Sequence, residues 1–219
     1  MNENAKNLME EGWKARENLE FEKAEKLLNE AKALFETSGD WFNVTEATNH
    51  LAYTEKLKAV QQNLKGMRYA KDSEEIAREH STKKVLVLRT LMSLADSAGL
   101  FEQALKWGYK CLSEFTKPLP KADILSHIAM FQLRTGKLVD AEKTINDAEV
   151  LMDNHLEEEQ EPHRSIWRSK ILITKGLILY NKGETESAKG YLTNALDVAK
   201  EQNLKTRITE IETIMELFK

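Results

Sequence analysis

Cysteine is almost missing from this chain of 219 residues: Cys111 stands alone, so no internal disulfide and no zinc site built on cysteine pairs can form. A reducing, cytoplasmic setting fits that usage. Long apolar runs are missing too. The most apolar stretch, residues 171–180, is interrupted by Lys175 and Gly176, and the N-terminal MNENAKNLMEEG is polar throughout, so neither a membrane span nor a signal core is expected. Positive charge is not in excess. A net charge of −4 without a dense Lys/Arg block argues against nucleic acid and anionic lipid as partners. The five histidines, His50, His80, His127, His155 and His163, include no pair three or four apart on one helix, the spacing a helical metal site would use. No P-loop, dinucleotide glycine fingerprint or nucleophile elbow occurs. The expectation is therefore no metal, no cofactor and no enzyme.

With three prolines and nine glycines, the chain also has little to interrupt helices. What it does have is 41% hydrophobic and 31% charged residues, the balance of amphipathic helices around a core. One stretch returns: GLFEQA (99–104), GKLVDA (136–141) and GETESA (183–188), each followed seven positions later by another small residue, Cys111, Ala148 and Ala195. Seven residues are nearly two helical turns, so the two small residues share a stripe that another helix backbone can approach. Cys111 stands where the other copies have Ala, which marks it as a small buried residue more than a reactive thiol. The glycine opening each copy suits the turn from an earlier helix. The repeated element is helix, turn, helix.

The spacing predicts an all-α chain of eleven helices in one domain. Its helix pairs cover residues 5–36, 42–79, 82–115, 121–154 and 162–201, with a capping helix over 204–218. In the first pair Leu19 stands where later copies carry Gly. The second pair is the least regular, with Asp40 as a candidate N-cap, a first helix to about Gln62 and a partner over 67–79. Ser81 is a candidate cap for the third. Lys117, Pro118, Leu119 and Pro120 end the third pair. The acidic stretch 157–161 reads as a loop or frayed helix end, and Pro162 as the first residue of the next helix. The anchoring alanines, Ala24, Ala70, Ala104, Ala141 and Ala188, are separated by 46, 34, 37 and 47 residues.

This pattern resembles the tetratricopeptide repeat in degenerate form. In that family a small residue lies midway along the first helix, as Gly12, Ala129 and Gly176 do here. Gly ends the helix, as at Gly99, Gly136 and Gly183, and a large apolar residue follows two positions on, as at Phe21, Met67, Phe101 and Leu138. The alanine pairs match nearly throughout, whereas the family's early Trp, its Tyr and its closing Pro are missing from every unit. The resemblance implies a right-handed superhelix of about five antiparallel hairpins, an α-solenoid whose inner wall is lined by the first helices and holds a peptide or a partner's helix. Carried over, the inward positions are Met9, Trp13 and Arg16; Arg89, Ser93 and Asp96; Ser126, Met130 and Arg134; and Ile173, Leu177 and Tyr180. Apolar anchors mixed with three arginines suit a segment bearing both hydrophobic side chains and carboxylates. The Lys and Asn with which one version of the family grips chaperone C-termini are replaced by Met9 and Trp13. A scaffold for protein–protein interaction is therefore expected. The alternatives are a sensor similar to the bacterial receptors that hold short signalling peptides, and a homodimer formed through 204–218.

Overall fold

Six helix-to-helix turns, at Leu19, Gly39, Gly99, Gly136, Gly183 and Asn203, share one backbone solution, and it accounts for most of the architecture. In the computed structural model, which describes residues 3–81 and 84–216, Gly39, Gly99, Gly136 and Gly183 take φ values of +69°, +73°, +76° and +83°. At each the next residue's N–H reaches back to a carbonyl five residues earlier, as Leu100 does to Ala95 and Glu184 to Leu179, which ends the helix and sends the chain back on itself. Leu19 does the same work without being glycine. Its φ is +62°, and Glu20 N–H bonds the Ala15 carbonyl at 2.9 Å. A left-handed leucine costs on the order of 1 kcal/mol, which the α1–α2 packing outweighs.

Among the described residues the chain forms ten α-helices, one 3-10 turn and no strand. Contacts gather into two compact units that divide between Tyr69 and Ala70, whereas the sequence is read as one repeat domain. The first unit contains α1 (Glu3–Glu17), α2 (Phe21–Thr37) and the N-terminal part of α3 (Trp41–Glu79). There α1 and α2 pack as a hairpin, with Ala5, Ala31 and Phe35 buried and Gly12 against Leu28. Asp40 takes the capping role: its carboxylate accepts from the Asn43 N–H at 3.3 Å and from the Asn43 side-chain amide at 2.7 Å.

The expected hairpin over 42–79 is one helix of 39 residues, so ten helices replace the expected eleven. The reason is local. Between Gln62 and Met67 the chain offers Asn63, Leu64, Lys65 and Gly66, with no proline, and Gly66 is not among the glycines of positive φ, so nothing there stops propagation.

The second unit takes the rest of α3 and then α4 (Lys84–Ser97), α5 (Phe101–Glu114), α6 (Pro118–Arg134), α7 (Leu138–His155), a 3-10 turn (Leu156–Glu158), α8 (His163–Asn181), α9 (Thr185–Glu201) and α10 (Lys205–Glu216). Pro118 and Pro120 fall in the first turn of α6, where their missing N–H groups cost nothing. Pro162 caps α8 without entering it, and part of the acidic stretch forms the 3-10 turn. Ser81 has φ +51°, and Thr82 and Lys83 beyond it lie outside the described residues.

In this unit α4 pairs with α5, α6 with α7 and α8 with α9, while α6 also packs on α5 and α8 and α10 on α9, a pattern consistent with a helical repeat. Ala104, Cys111, Ala141, Ala148, Ala188 and Ala195 are all fully buried. Helix backbones also come close at Gly176, where an added Cβ would lie 3.1 Å from Leu192 Cγ and 3.2 Å from the Ala188 carbonyl oxygen. Ala188→Leu is therefore expected to destabilise the protein by about 2 kcal/mol through overpacking, read as a lower urea midpoint. The apolar face of α10 turns inward: Ile211 is buried and Ile208, Ile214 and Met215 pack beside it on α8 and α9. Leu217 and Phe218, the last residues expected on that face, lie outside the described residues.

Candidate functional site

Of the twelve positions expected on an inner wall, Met9, Trp13 and Arg16 belong to the first unit. Met9 packs half-buried beside Phe35, and with Trp13, Lys6, Glu10, Asn43 and Glu46 it lines an open cleft of about 340 Å³. Trp13 is 42% exposed. Arg16 is buried along α1. It donates to His50 Nδ1 at 3.1 Å and to Glu17 at 2.8 Å, and lies 5.8 Å from the centre of the Tyr53 ring. As the guanidinium can only donate, His50 accepts at Nδ1 and keeps its proton on Nε2. Burial, and then Arg16, lower its pKa. Arg16 is thus fastened to its own unit.

The other nine positions lie in the second unit and differ sharply in exposure. Ser126, Met130 and Ile173 are buried, with the Ser126 hydroxyl donating to the Asp123 carbonyl at 2.7 Å. They form the floor of this face and offer little surface to an incoming chain. Arg89, Asp96 and Leu177 are partly exposed; Ser93, Arg134 and Tyr180 are open to solvent. Arg89 donates to the Asp123 carboxylate at 2.6 Å, and Arg134 pairs with Asp96 while lying 5.3 Å from the centre of the Phe101 ring. Each arginine thus bridges α4 and α6 through a carboxylate of the facing helix.

Beside these pairs stand groups that the sequence reading does not single out: Asp123 and His127 on α6, Lys170 on α8, and Arg207 and Glu210 on α10. Glu210 takes Lys170 at 3.5 Å and also pairs with Arg207. Burial pushes the Asp123 carboxyl up against the pull of Arg89, and pushes the Lys170 ammonium down against the pull of Glu210. His127 is held well below the usual imidazole range, by burial first and then by Lys170, Arg89, Arg207 and Arg134. Its ring lies tilted, 6.2 Å from Phe131, and Nε2 is 3.9 Å from Asp123. Helical spacing carried a usable signal for three of these groups. Asp123, His127, Met130 and Arg134 repeat at four, three and four, and Lys170 and Ile173 lie three apart on one face of α8.

The remaining chemistry is quiet. Burial pushes the Cys111 thiol up to about 11, and its Sγ lies 3.9 Å from the Val85 carbonyl oxygen. Among the described residues no group of three His, Cys, Asp or Glu side chains is placed to hold a metal ion, and no helix is long and apolar enough to cross a membrane. The chain matches no protein-family model and no curated protein.

Proposed function

We propose that the second unit is a docking module, without enzymatic activity of its own, for a peptide or an extended segment of another protein. In this reading the hairpins of the unit are degenerate tetratricopeptide-type repeats, and the segment lies across α4, α6, α8 and α10. The supporting observation is the row of ion pairs Arg89–Asp123, Arg134–Asp96 and Lys170–Glu210–Arg207. Lys170, Arg207, Arg89 and Arg134 keep between 13% and 39% of their side-chain surface, too little for freely solvated cations and too much for a sealed core. Held groups of this kind can exchange an internal partner for an external one at small entropic cost. Leu177 and Tyr180 add an apolar edge on α8. A catalytic role has less support, since the charged groups of this face are paired with each other.

The test is capture of binding segments from a peptide array by the full chain. Arg134→Glu is expected to weaken the best peptides at least about tenfold, the scale of a reversed charge in a half-buried contact, while Trp13→Ala in the first unit leaves them bound. Peptides indifferent to Arg134→Glu and to Tyr180→Ala would place docking elsewhere. Self-association through α10 has little to recommend it, because the apolar side chains of that helix are already occupied.

A further inference from the structure

The long helix α3 leaves an apolar row open to solvent. Tyr53, Leu57, Val60, Leu64 and Met67 follow one another at four, three, four and three residues, the spacing of a coiled-coil seam, and all lie within the first unit. Tyr53, Val60 and Leu64 are 57%, 48% and 56% exposed, and Leu57 and Met67 are partly buried. The covered side of this stretch is a different one. Ala47 and Thr54 are fully buried and Lys58 pairs with Glu25 of α2, about a third of the way round the helix from the row. A turn at 63–66 would have folded residues 67–79 back beside 42–62; the continuous helix supplies no such cover. Single exposed apolar side chains are ordinary, but a seam of them running for about 20 Å is a surface shaped for a second helix.

The charges around the row decide which kind of helix it suits. From Lys56 to Arg68 the chain carries Lys56, Lys58, Lys65 and Arg68 and no carboxylate. Lys58 is held by Glu25 and Glu55, whereas Lys56, Lys65 and Arg68 form no ion pair among the described residues. Lys56 and Asn63 edge the row on one side, Gln61 and Arg68 on the other, the positions from which a coiled-coil seam selects its partner. We propose that this row is the docking surface for an acidic amphipathic helix of another protein, whose apolar side chains fill the seam over about two heptads and whose acidic residues run along its edges past Lys56 and Arg68. The apolar seam supplies the affinity and the edges the selectivity. This surface is separate from the docking face of the second unit. A second copy of the chain fits it less well, since pairing in either direction lays one acid-free cationic stretch on another. A bilayer also fits it less well: the row is one seam wide with amide side chains at its edges, and a helix sealed against α2 along a neighbouring side does not sink to the depth that an interfacial helix needs.

The test uses the full chain and two amidated three-heptad probes carrying fluorescein at the N-terminus, (Glu-Ile-Ala-Ala-Leu-Glu-Gln)3 and its counterpart with Lys in place of each Glu, read by fluorescence anisotropy. The acidic probe is expected to bind at least about tenfold more tightly than the basic one. Leu64→Ala should weaken it at least about fivefold, the loss carried by an apolar anchor at the centre of an interface. Lys56→Glu combined with Arg68→Glu should reverse the preference between the two probes. Lys56, Leu64 and Arg68 are all exposed, so the urea midpoints of these variants should stay unchanged, which separates a lost contact from a lost fold. Arg134→Glu, in the second unit, should leave the acidic probe bound, which separates the seam from the docking face. An acidic probe that fails to bind, binds no better than the basic one, or binds Leu64→Ala equally well overturns the proposal. Sedimentation of the chain alone and vesicles of phosphatidylserine and phosphatidylcholine complete the test: a dimer or a vesicle complex that Leu64→Ala abolishes gives the row to a second copy or to a membrane, and overturns the proposal too.

Discussion

Arg89→Met is expected to destabilise the protein by about 3 kcal/mol, the lower end of what removing one partner of a buried ion pair costs, and Asp123→Asn by less than about 1 kcal/mol in either direction. The asymmetry comes from where the two groups sit. Asp123 keeps 4% of its side-chain surface and Arg89 keeps 32%, so removing the arginine strands a carboxylate in the interior, whereas removing the carboxylate leaves a guanidinium that water can reach. Burial already pushes the Asp123 carboxyl above its usual range despite Arg89, so ionised Asp123 is a net burden on the folded state at neutral pH. The sign of the pH dependence follows. The burden is complete above the raised folded pKa and is lifted as pH falls through it toward the ordinary carboxyl value of 3.8. Equilibrium urea unfolding of the two single variants and the double variant, at neutral and mildly acidic pH, measures both effects. Equal losses from the two single variants would contradict the account.

Leu192→Ala should cost about 3 kcal/mol, a fully buried leucine truncated where the walls cannot collapse. Leu192 is 0% exposed, in a cluster with Ile173, Ala195, Ala199 and Ile211, and opposite it the α8 backbone is bare at Gly176. Glycine has no side chain to move into the void, and the helix carrying it is pinned on its other faces by Trp167, Ile171 and Ile178. A coupled effect should follow. Gly176→Ala alone would force its Cβ to 3.1 Å from Leu192 Cγ; with Leu192 already truncated only the 3.2 Å approach to the Ala188 carbonyl oxygen remains, and the added methyl brings up to about 1 kcal/mol of helix propensity. The double variant should therefore be more stable than the two single losses added together. Val150→Ala, at a position 58% exposed on α7, should move stability by less than about 0.5 kcal/mol. A Leu192→Ala loss no larger than that of Val150→Ala would contradict the packing described for α8 and α9.

The helical pairs were legible because their signals are local. A glycine that tolerates positive φ, an apolar period of three and four, and small residues seven apart all act within two turns of chain. Leu19 shows the same geometry forced on a residue that does not advertise it, recognisable only by alignment with the later turns. The positions expected on an inner wall were legible only as directions. Arg89, Ser93, Asp96 and Arg134 kept access to solvent, but Met130 and Ile173 became floor, since a residue on the inner side of one helix is covered or bare according to how closely the helices beside it approach.

By itself, then, the sequence determined that the chain is helical, where three of its glycine turns fall, at Gly99, Gly136 and Gly183, and which small side chains would be buried, because backbone sterics and helical periodicity operate over a few residues. It did not determine that residues 41–79 run as one helix, since no residue between Gln62 and Met67 either demands or forbids a turn. The charged face was decided by tertiary structure alone. Arg89 and Asp123 are 34 positions apart and Lys170 and Glu210 are 40, so the pairings and the burial that shifts Asp123, Lys170 and His127 exist only once four helices have been brought side by side.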